Sequence, residues 1–169
     1  DKDCVRELFL GIFGLQDRGQ EYCGMATSDG ETIKIRTHRG EVWPTFRNDL
    51  EGMEGHIGIG HTSSSTRQPI LREGNCGEFV VGYDGYLMNA DELRSRMLHQ
   101  GVSFATRDEV EVLAALIAKE DTFAEGLEKA LQKIVGPCSL TMLTNDGVYA
   151  ARGIEGWQPL AIGKKDSAW

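Results

Sequence analysis

Several features that would mark a particular class of protein are scarce in this sequence. No apolar run approaches the roughly 20 residues of a membrane-spanning helix, and no segment shows the basic, apolar and small-residue order of a secretory signal. Lys and Arg number 18 against 26 Asp and Glu, and the net charge of −8 argues against nucleic acid as the main partner. We therefore expect a cytoplasmic protein that binds neither membranes nor nucleic acid.

Cysteine is also sparse, and its spacing excludes the usual metal motifs. The sequence has four widely separated cysteines: Cys4, Cys23, Cys76 and Cys138. They form no CxxC pair and have no matching pair of histidines, so we expect no metal and no cofactor. A chain of 169 residues can bury a core without disulfides. The sequence thus predicts that the thiols are free, as in a reducing compartment, and that most of the cysteines are small core residues.

Turn residues between short apolar runs predict the strands. Asp-Gly at residues 29–30 and Asn-Asp-Gly at residues 145–147 each predict a β-hairpin. A glycine-rich stretch predicts a strand through Ile57 and Ile59, and "PLAIG" at residues 159–163 predicts a last apolar strand.

Apolar spacing and capping signals predict the helices. Residues 5–16 carry one apolar face. A capping residue followed three positions later by Glu predicts the starts of three more helices, at Asn89, Thr106 and Thr122. Hairpin-linked strands with the helices grouped separately indicate an α+β fold.

Residues 80–96, "VVGYDGYLMNADELRSR", predict a strand, a tight turn and then a helix. Asp84 and Gly85 stand at the bend, between Tyr83 and Tyr86. Polar and aromatic groups at such a bend make it a candidate binding or catalytic loop.

Five stretches, in the same order and with compatible spacing, resemble the class II glutamine amidotransferases, most closely the glutaminase domain of the amidophosphoribosyltransferases. The stretches and the family patterns are "GLQDRGQEYCGM" with "LQHRGQE…G", "GIGHTSSST" with "GIGHVRYST", "GYDGYLMNADELR" with "AHNGNLVN…LR", "FATRDEVEVLAALI" with "F.T.SDTEV…LI", and "SLTMLTNDGVYAARGIEGWQPLAIG" with "SLV.LT.DG.YA.RDP.GIRPL.LG". The resemblance implies an N-terminal-nucleophile hydrolase fold: a four-layer αββα sandwich of two antiparallel sheets between helix layers. It implies a single domain over residues 1–169, without the family's first strand and without its downstream phosphoribosyltransferase domain.

The family's chemistry depends on a cysteine at the mature N-terminus. Its thiol attacks the side-chain amide of glutamine, with its own α-amine, of pKa about 8, as the base. This sequence begins Asp1-Lys2-Asp3, so we expect the family's "CGVFG" segment to lie upstream of it. Cys4 aligns after that segment and is a poor substitute for the nucleophile.

Other family roles map onto this sequence through the matched patterns. Ser63 replaces the arginine that holds the α-carboxylate of glutamine, whereas Thr66 is retained and could still bind an amino-acid ligand. Asp84 replaces the asparagine of the oxyanion hole, which leaves the backbone amide of Gly85. Asp108 keeps a carboxylate at the position that would bind the amino group of glutamine.

The lost cation has one nearby replacement, because Arg67 follows the hydroxyl-rich segment and could reach the same place. Because the catalytic groups are substituted, the sequence favours an inactive domain. We expect such a domain to bind a small amino-acid-like ligand, a protein partner, or further copies of itself in an oligomer. The alternative is a working glutaminase that supplies ammonia for purine biosynthesis, with its cysteine segment outside this sequence.

Overall fold

The computed structural model describes residues 3–164, and its strands form two antiparallel sheets. The first sheet has three strands, β1 (Tyr22–Ser28), β2 (Ile33–Arg39) and β3 (Ile57–Ser63), in the order β2-β1-β3. The second has four strands, β4 (Ile70–Gly74), β5 (Gly77–Gly85), β6 (Cys138–Leu143) and β7 (Val148–Arg152), in the order β4-β5-β6-β7.

Helices cover the outer face of each sheet. The helices on the first sheet are α1 (Val5–Gly14) and α2 (Val42–Phe46). Those on the second sheet are α3 (Ala90–His99), α4 (Glu109–Ile117) and α5 (Phe123–Lys133). Within residues 3–164, every helix falls short of the length and apolar character needed to cross a membrane.

Alternation of side chains along the central strands produces the layers. On β1, Cys23 and Met25 pack against the α1 and α2 layer, while Ala26 faces the other sheet. On β5, Phe79 packs against the three-helix layer, whereas Val80 faces the first sheet. The order helix, sheet, sheet, helix confirms the predicted α+β, four-layer αββα sandwich.

Several local predictions are confirmed. Hairpins join β1 to β2 and β6 to β7 at the predicted turns. Helix α1 begins at Val5, and the hydroxyl of Thr122 accepts a hydrogen bond from the backbone amide of Glu125, 3.3 Å away. The same hydroxyl donates to the Oε2 of Glu125 at 3.3 Å, so the cap is made within its own turn.

The helix start predicted at Asn89 is confirmed, but the predicted side-chain cap is wrong. Asn89 precedes α3, but its side chain makes no capping hydrogen bond to that helix. Its Nδ2 donates to the carbonyl oxygen of Lys133 at 2.8 Å, and its Oδ1 accepts from the amide of Val135 at 2.9 Å. The side chain therefore satisfies backbone groups that the end of α5 would otherwise leave unpaired.

The predicted strand at residues 159–163 is also wrong, since this segment is irregular in the structure. Its apolar side chains lie largely in solvent, with Ile162 78% exposed. An apolar run forms a strand only where a neighbouring strand pairs with its backbone. Conversely, β4 and the short α2, each five residues long, were not predicted.

The bridge made by Asn89 predicts a measurable stability effect. Asn89→Ala removes two hydrogen bonds and should lower the free energy of unfolding by about 1–3 kcal/mol, measured by urea denaturation. Asn75→Ala is the matched control, because Asn75 is exposed and makes a single side-chain bond, to the carbonyl oxygen of Lys119. An Asn89→Ala midpoint no lower than that of the control would contradict this role.

Candidate functional site

A cavity of about 480 Å³ opens where β3, β5 and the start of α4 meet. His61 and Ser63 follow Ile59 on the face of β3 that is turned toward the second sheet. All five residues that the sequence singled out for binding line this cavity: Ser63, Thr66, Asp84, Gly85 and Asp108. The fold thus brings together positions up to 45 residues apart along the chain (63 to 108).

The hydroxyl-rich segment after β3 folds into a tight turn around Ser63. The Oγ of Ser63 accepts hydrogen bonds from the backbone amides of Ser65 and Thr66, each at 3.1 Å. The Oγ1 of Thr66 lies 3.5 Å from the same atom. These two amide hydrogen bonds hold the Ser63 oxygen within the turn.

Gln68 fastens this turn to the second sheet, and sequence reasoning missed it. Its side chain is buried, 3% exposed. The Oε1 accepts from the amide of Tyr83 at 2.7 Å, and the Nε2 donates to the Oγ1 of Thr66 at 2.9 Å. Since the β4–β5 ladder ends at the pair Ile70 and Val81, Gln68 pairs a β5 amide just beyond it. The sequence carried no signal for this role, because a glutamine before a proline belongs to no motif that predicts a buried hydrogen bond.

Asp84 is the second-last residue of β5, and its carboxylate contacts two side chains. The Nε2 of Gln158 donates to its Oδ2, and an Nη of Arg18 lies 3.7 Å from the same oxygen. Both partners of the ion pair are exposed, so that pair adds little stability. The chain passes very close to β3 at Gly19, where a Cβ would lie 2.5 Å from the backbone of Ser63. This close approach, which requires glycine, brings the neighbouring Arg18 to the cavity.

Gly85 follows Asp84 in a conformation that other residues rarely adopt, with φ of +145°. A Cβ at this position would lie 2.0 Å from the carbonyl oxygen of Pro137. The next residue, Tyr86, donates its amide to that same oxygen at 2.9 Å. The bend predicted at Asp84 and Gly85 is therefore confirmed, and it depends on glycine for both φ and space.

Glu109 is the second residue that sequence reasoning missed. It was predicted as the third position of a cap begun by Thr106, but α4 begins at Glu109 itself. Its Oε2 accepts from the hydroxyl of Tyr83 and, at 2.8 Å, from the amide of Leu87. The cap prediction was wrong because these buried donors take the carboxylate instead.

A signal for Glu109 was present in the matched pattern. Counted without a gap from Phe104 and Thr106, the aspartate of "F.T.SDTEV" falls on Glu109 rather than on Asp108. Asp108 also lines the cavity, and its carbonyl oxygen accepts from Arg94 at 2.8 Å. Two neighbouring carboxylates thus stand at the start of α4.

The nearby cations differ from the one expected. Arg18 and Arg107 line the cavity, whereas Arg67 is absent from its lining as far as residues 3–164 define it. Cys4 lies at the start of α1, where its amide donates to the carbonyl oxygen of Gly55 at 2.8 Å. Burial and the charge of Asp3 raise the pKa of the Cys4 thiol to about 11, which keeps it protonated.

Burial sets the protonation of the cavity's titratable groups. It lowers the pKa of His61 to about 4, although the charge of Asp84 opposes the shift. Burial, and then the hydrogen bond to Glu109, raise the pKa of Tyr83 above its ordinary value. Burial and the charge of Asp84 raise the pKa of Cys138 to about 12. At neutral pH the imidazole is therefore uncharged, and the phenol and thiol keep their protons.

Comparisons with known proteins agree with this geometry. The family model described as a glutamine amidotransferase domain matches residues 55–169. The amidophosphoribosyltransferase of Methanocaldococcus jannaschii is 35% identical over 96% of this chain and 37% of its own length. The Mus musculus amidophosphoribosyltransferase is 33% identical over 96% of this chain and 35% of its own length. The chain thus spans little more than a third of these relatives.

Solved structures of amidotransferases also match this fold. The glutamine phosphoribosylpyrophosphate amidotransferase from B. subtilis, complexed with ADP and GMP, superposes with a TM-score of 0.84 at 28% identity, over 89% of this chain and 35% of its own. A structure described as the allosteric regulatory enzyme of purine biosynthesis gives 0.79 at 29% identity, over 83% of this chain and 33% of its own.

The half-buried His61 predicts a loss of stability in acid. As the pH falls below 6.5, the unfolded chain binds the proton first, so the free energy of unfolding falls until the folded-state pKa of about 4 is passed. Between pH 7 and pH 4 the protein should lose about 3 kcal/mol more than His61→Gln, measured by urea denaturation at each pH. His56→Gln is the control, because His56 is exposed. Parallel pH profiles for the protein and His61→Gln would contradict the assignment.

Proposed function

Because this chain belongs to the glutamine amidotransferase domain family, we propose that it is a member that no longer hydrolyses glutamine and that binds a small polar molecule in the retained cavity. The observation that carries the proposal is the carboxylate of Asp84. It stands where the matched pattern has the oxyanion asparagine, and it is held there by Gln158 and Arg18.

An ionised carboxylate at this position opposes amide hydrolysis. The tetrahedral intermediate places a negative charge on the carbonyl oxygen, and the site must donate hydrogen bonds to it. The carboxylate of Asp84 has no proton to donate and would repel that charge. Loss of one such donor costs about 3–4 kcal/mol in the barrier. Gly85 keeps its backbone amide, which is half of the family's arrangement.

Ser63 weakens binding of the substrate as well. An arginine can hold a carboxylate through two parallel charge-assisted hydrogen bonds, worth roughly 1.5–3 kcal/mol. The hydroxyl of Ser63 cannot supply that fork, and its oxygen is already occupied by the amides of Ser65 and Thr66. Together the two substitutions imply a kcat/KM lower by a factor of about 10³ to 10⁵, at 1.36 kcal/mol per tenfold.

Retention of the cavity supports a binding role. A volume of about 480 Å³ is within the usual range for small-molecule sites. Its lining combines hydroxyl groups at Ser63 and Thr66 with charged groups at Arg107 and Asp108. Buried hydrogen bonds at Gln68 and Glu109 hold the lining in place, which reduces the entropy lost on binding. A purely regulatory domain that contacts a protein partner would not need this cavity.

The second candidate is a working glutaminase domain that supplies ammonia to a phosphoribosyl acceptor in purine biosynthesis. The relatives named amidophosphoribosyltransferase favour it, because they match nearly the whole chain. It requires a cysteine nucleophile outside residues 1–169 and a different source of oxyanion stabilisation at Asp84.

Ammonia release separates the two candidates. The full-length encoded protein, given glutamine, should release ammonia no faster than a protein-free blank in a coupled glutamate dehydrogenase assay. An established glutaminase in the same buffer is the positive control. Release that disappears when an N-terminal cysteine is replaced by alanine would show that the second candidate is correct.

Ligand binding is tested independently by thermal unfolding. A panel of amino acids, small carboxylic acids and nucleotides should contain at least one compound that raises Tm by several degrees. A ligand at 100 times its Kd adds about 2.7 kcal/mol to the free energy of unfolding. Gly85→Ala, which places a Cβ against Pro137 and distorts the cavity loop, should remove the shift. A panel without any shift would argue for a partner-binding domain instead.

A further inference from the structure

The outer surface of the first helix layer carries large apolar side chains that residues 3–164 leave uncovered. Leu10 and Phe13 on α1 are 52% and 47% exposed, and Trp43 on α2 is 54% exposed. The ring of Phe13 lies 6.2 Å, centroid to centroid, from the ring of Trp43 and also 6.2 Å from that of the buried Phe9. The rings therefore form a continuous ridge along one side of α1. Adjoining apolar side chains in solvent mark a surface on which another molecule packs.

The geometry of α1 divides its exposed face into two unlike sides. Successive residues of an α-helix are rotated by about 100°, which places Leu10 on the centre line of that face. Arg6 and Phe13 then lie on one side of Leu10, and Glu7 and Gly14 lie on the other. One side thus presents a cation and a protruding ring, and the other presents an acid and a gap.

The gap is open within the described part of the chain. A Cβ at Gly14 would meet nothing within 4 Å, and the same is true of its neighbour on that side, Gly11. Packing among residues 3–164 therefore does not require glycine at either position, although glycine weakens a helix relative to alanine. The space can receive a ring from another molecule.

The charges beside the gap and the ridge are also unused. The side chains of Arg6 and Glu7 are exposed, and neither forms an ion pair or a hydrogen bond among the described residues. In a two-fold contact whose axis runs parallel to α1, each side of one helix meets the opposite side of the other. Arg6 then faces Glu7 of the second copy at nearly the same height, because adjacent residues differ by about 1.5 Å along the helix.

We propose that the outer face of α1 is an interface at which two copies of this chain pack with their α1 helices parallel. Leu10 meets Leu10 at the axis, and Phe13 of each copy enters the gap at Gly14 of the other. Trp43 extends the aromatic ridge over Gly11 of the second copy. A second copy supplies both halves of this match, in charge and in shape, so it is the occupant that the surface fits.

The expected association is weak. Helix α1 has ten residues and is therefore about 15 Å long, so a contact made mainly by this helix buries less than a standard interface. The net charge of −8 opposes self-association, which physiological salt screens. A site-specific cross-link is therefore the suitable measurement, because it captures a weak dimer and ignores other contacts of the full-length protein.

Leu10→Cys in the full-length encoded protein tests the position of the axis. The introduced thiols should form an intermolecular disulfide under mild oxidation, seen as a covalent dimer on a non-reducing gel, because parallel packed helices bring such central positions within disulfide reach. Leu98→Cys is the matched control, since Leu98 is 53% exposed but lies on α3 in the other helix layer. Cross-linking of Leu10→Cys should be at least about tenfold faster than that of Leu98→Cys or of the unsubstituted protein with its own four cysteines.

Exchange of charges tests the orientation of the helices. In the Leu10→Cys background, Arg6→Glu places acids opposite each other on both sides of the axis and should slow cross-linking roughly fivefold to tenfold. Addition of Glu7→Arg restores opposite charges and should return the original rate. Each rate is divided by the rate at which the same thiol reacts with iodoacetamide, which removes the effect of a neighbouring charge on the thiol pKa.

Three results would overturn the proposed interface. The first is equal cross-linking of Leu10→Cys and Leu98→Cys, and the second is a rate that Arg6→Glu leaves unchanged. The third is a slow rate that Glu7→Arg fails to restore, which would exclude the parallel arrangement. All substituted positions are exposed, so the variants should fold, as circular dichroism checks. None of these readouts involves the cavity, and the proposed function is therefore tested separately.

Discussion

The carboxylate of Glu109 is the contact on which the rest of the site depends. It stands at the first turn of α4 and accepts from the hydroxyl of Tyr83 on β5 and the amide of Leu87 before α3. One oxygen thus joins a strand, a loop and a helix that are separated along the chain. Because Tyr83 and Leu87 are buried, their donors would be costly to leave unpaired, and the half-buried carboxylate of Glu109 satisfies both. The shape of the loop at Asp84 and Gly85 follows from this contact and from the glycine backbone.

Several polar groups of the cavity are hydrogen-bonded within the protein itself. Glu109 is paired with Tyr83, Asp84 with Gln158, and Ser63 with two backbone amides. These internal hydrogen bonds fix the shape of the cavity lining before any ligand binds.

Sequence patterns predicted turns, helix starts and caps correctly where interactions between neighbouring residues determine the structure. The hairpin turns, the start of α1 and the cap at Thr122 were predicted correctly, because each depends on neighbouring residues alone. The caps at Asn89 and Thr106 failed for a shared reason. In each, a side chain expected to bond within its own turn found a partner far along the chain: Asn89 bonds at the end of α5, and Glu109 bonds to β5.

The sequence by itself determined the α+β class, the family, and five residues that line one cavity: Ser63, Thr66, Asp84, Gly85 and Asp108. It determined them because motifs and periodicity are recorded in residue order. Only the tertiary structure decided how these residues are paired. Gln68 and Glu109 became site residues, and Arg18 rather than Arg67 reached the cavity, because hydrogen bonds between distant segments depend on which donors the packed layers bring within about 3 Å of each acceptor.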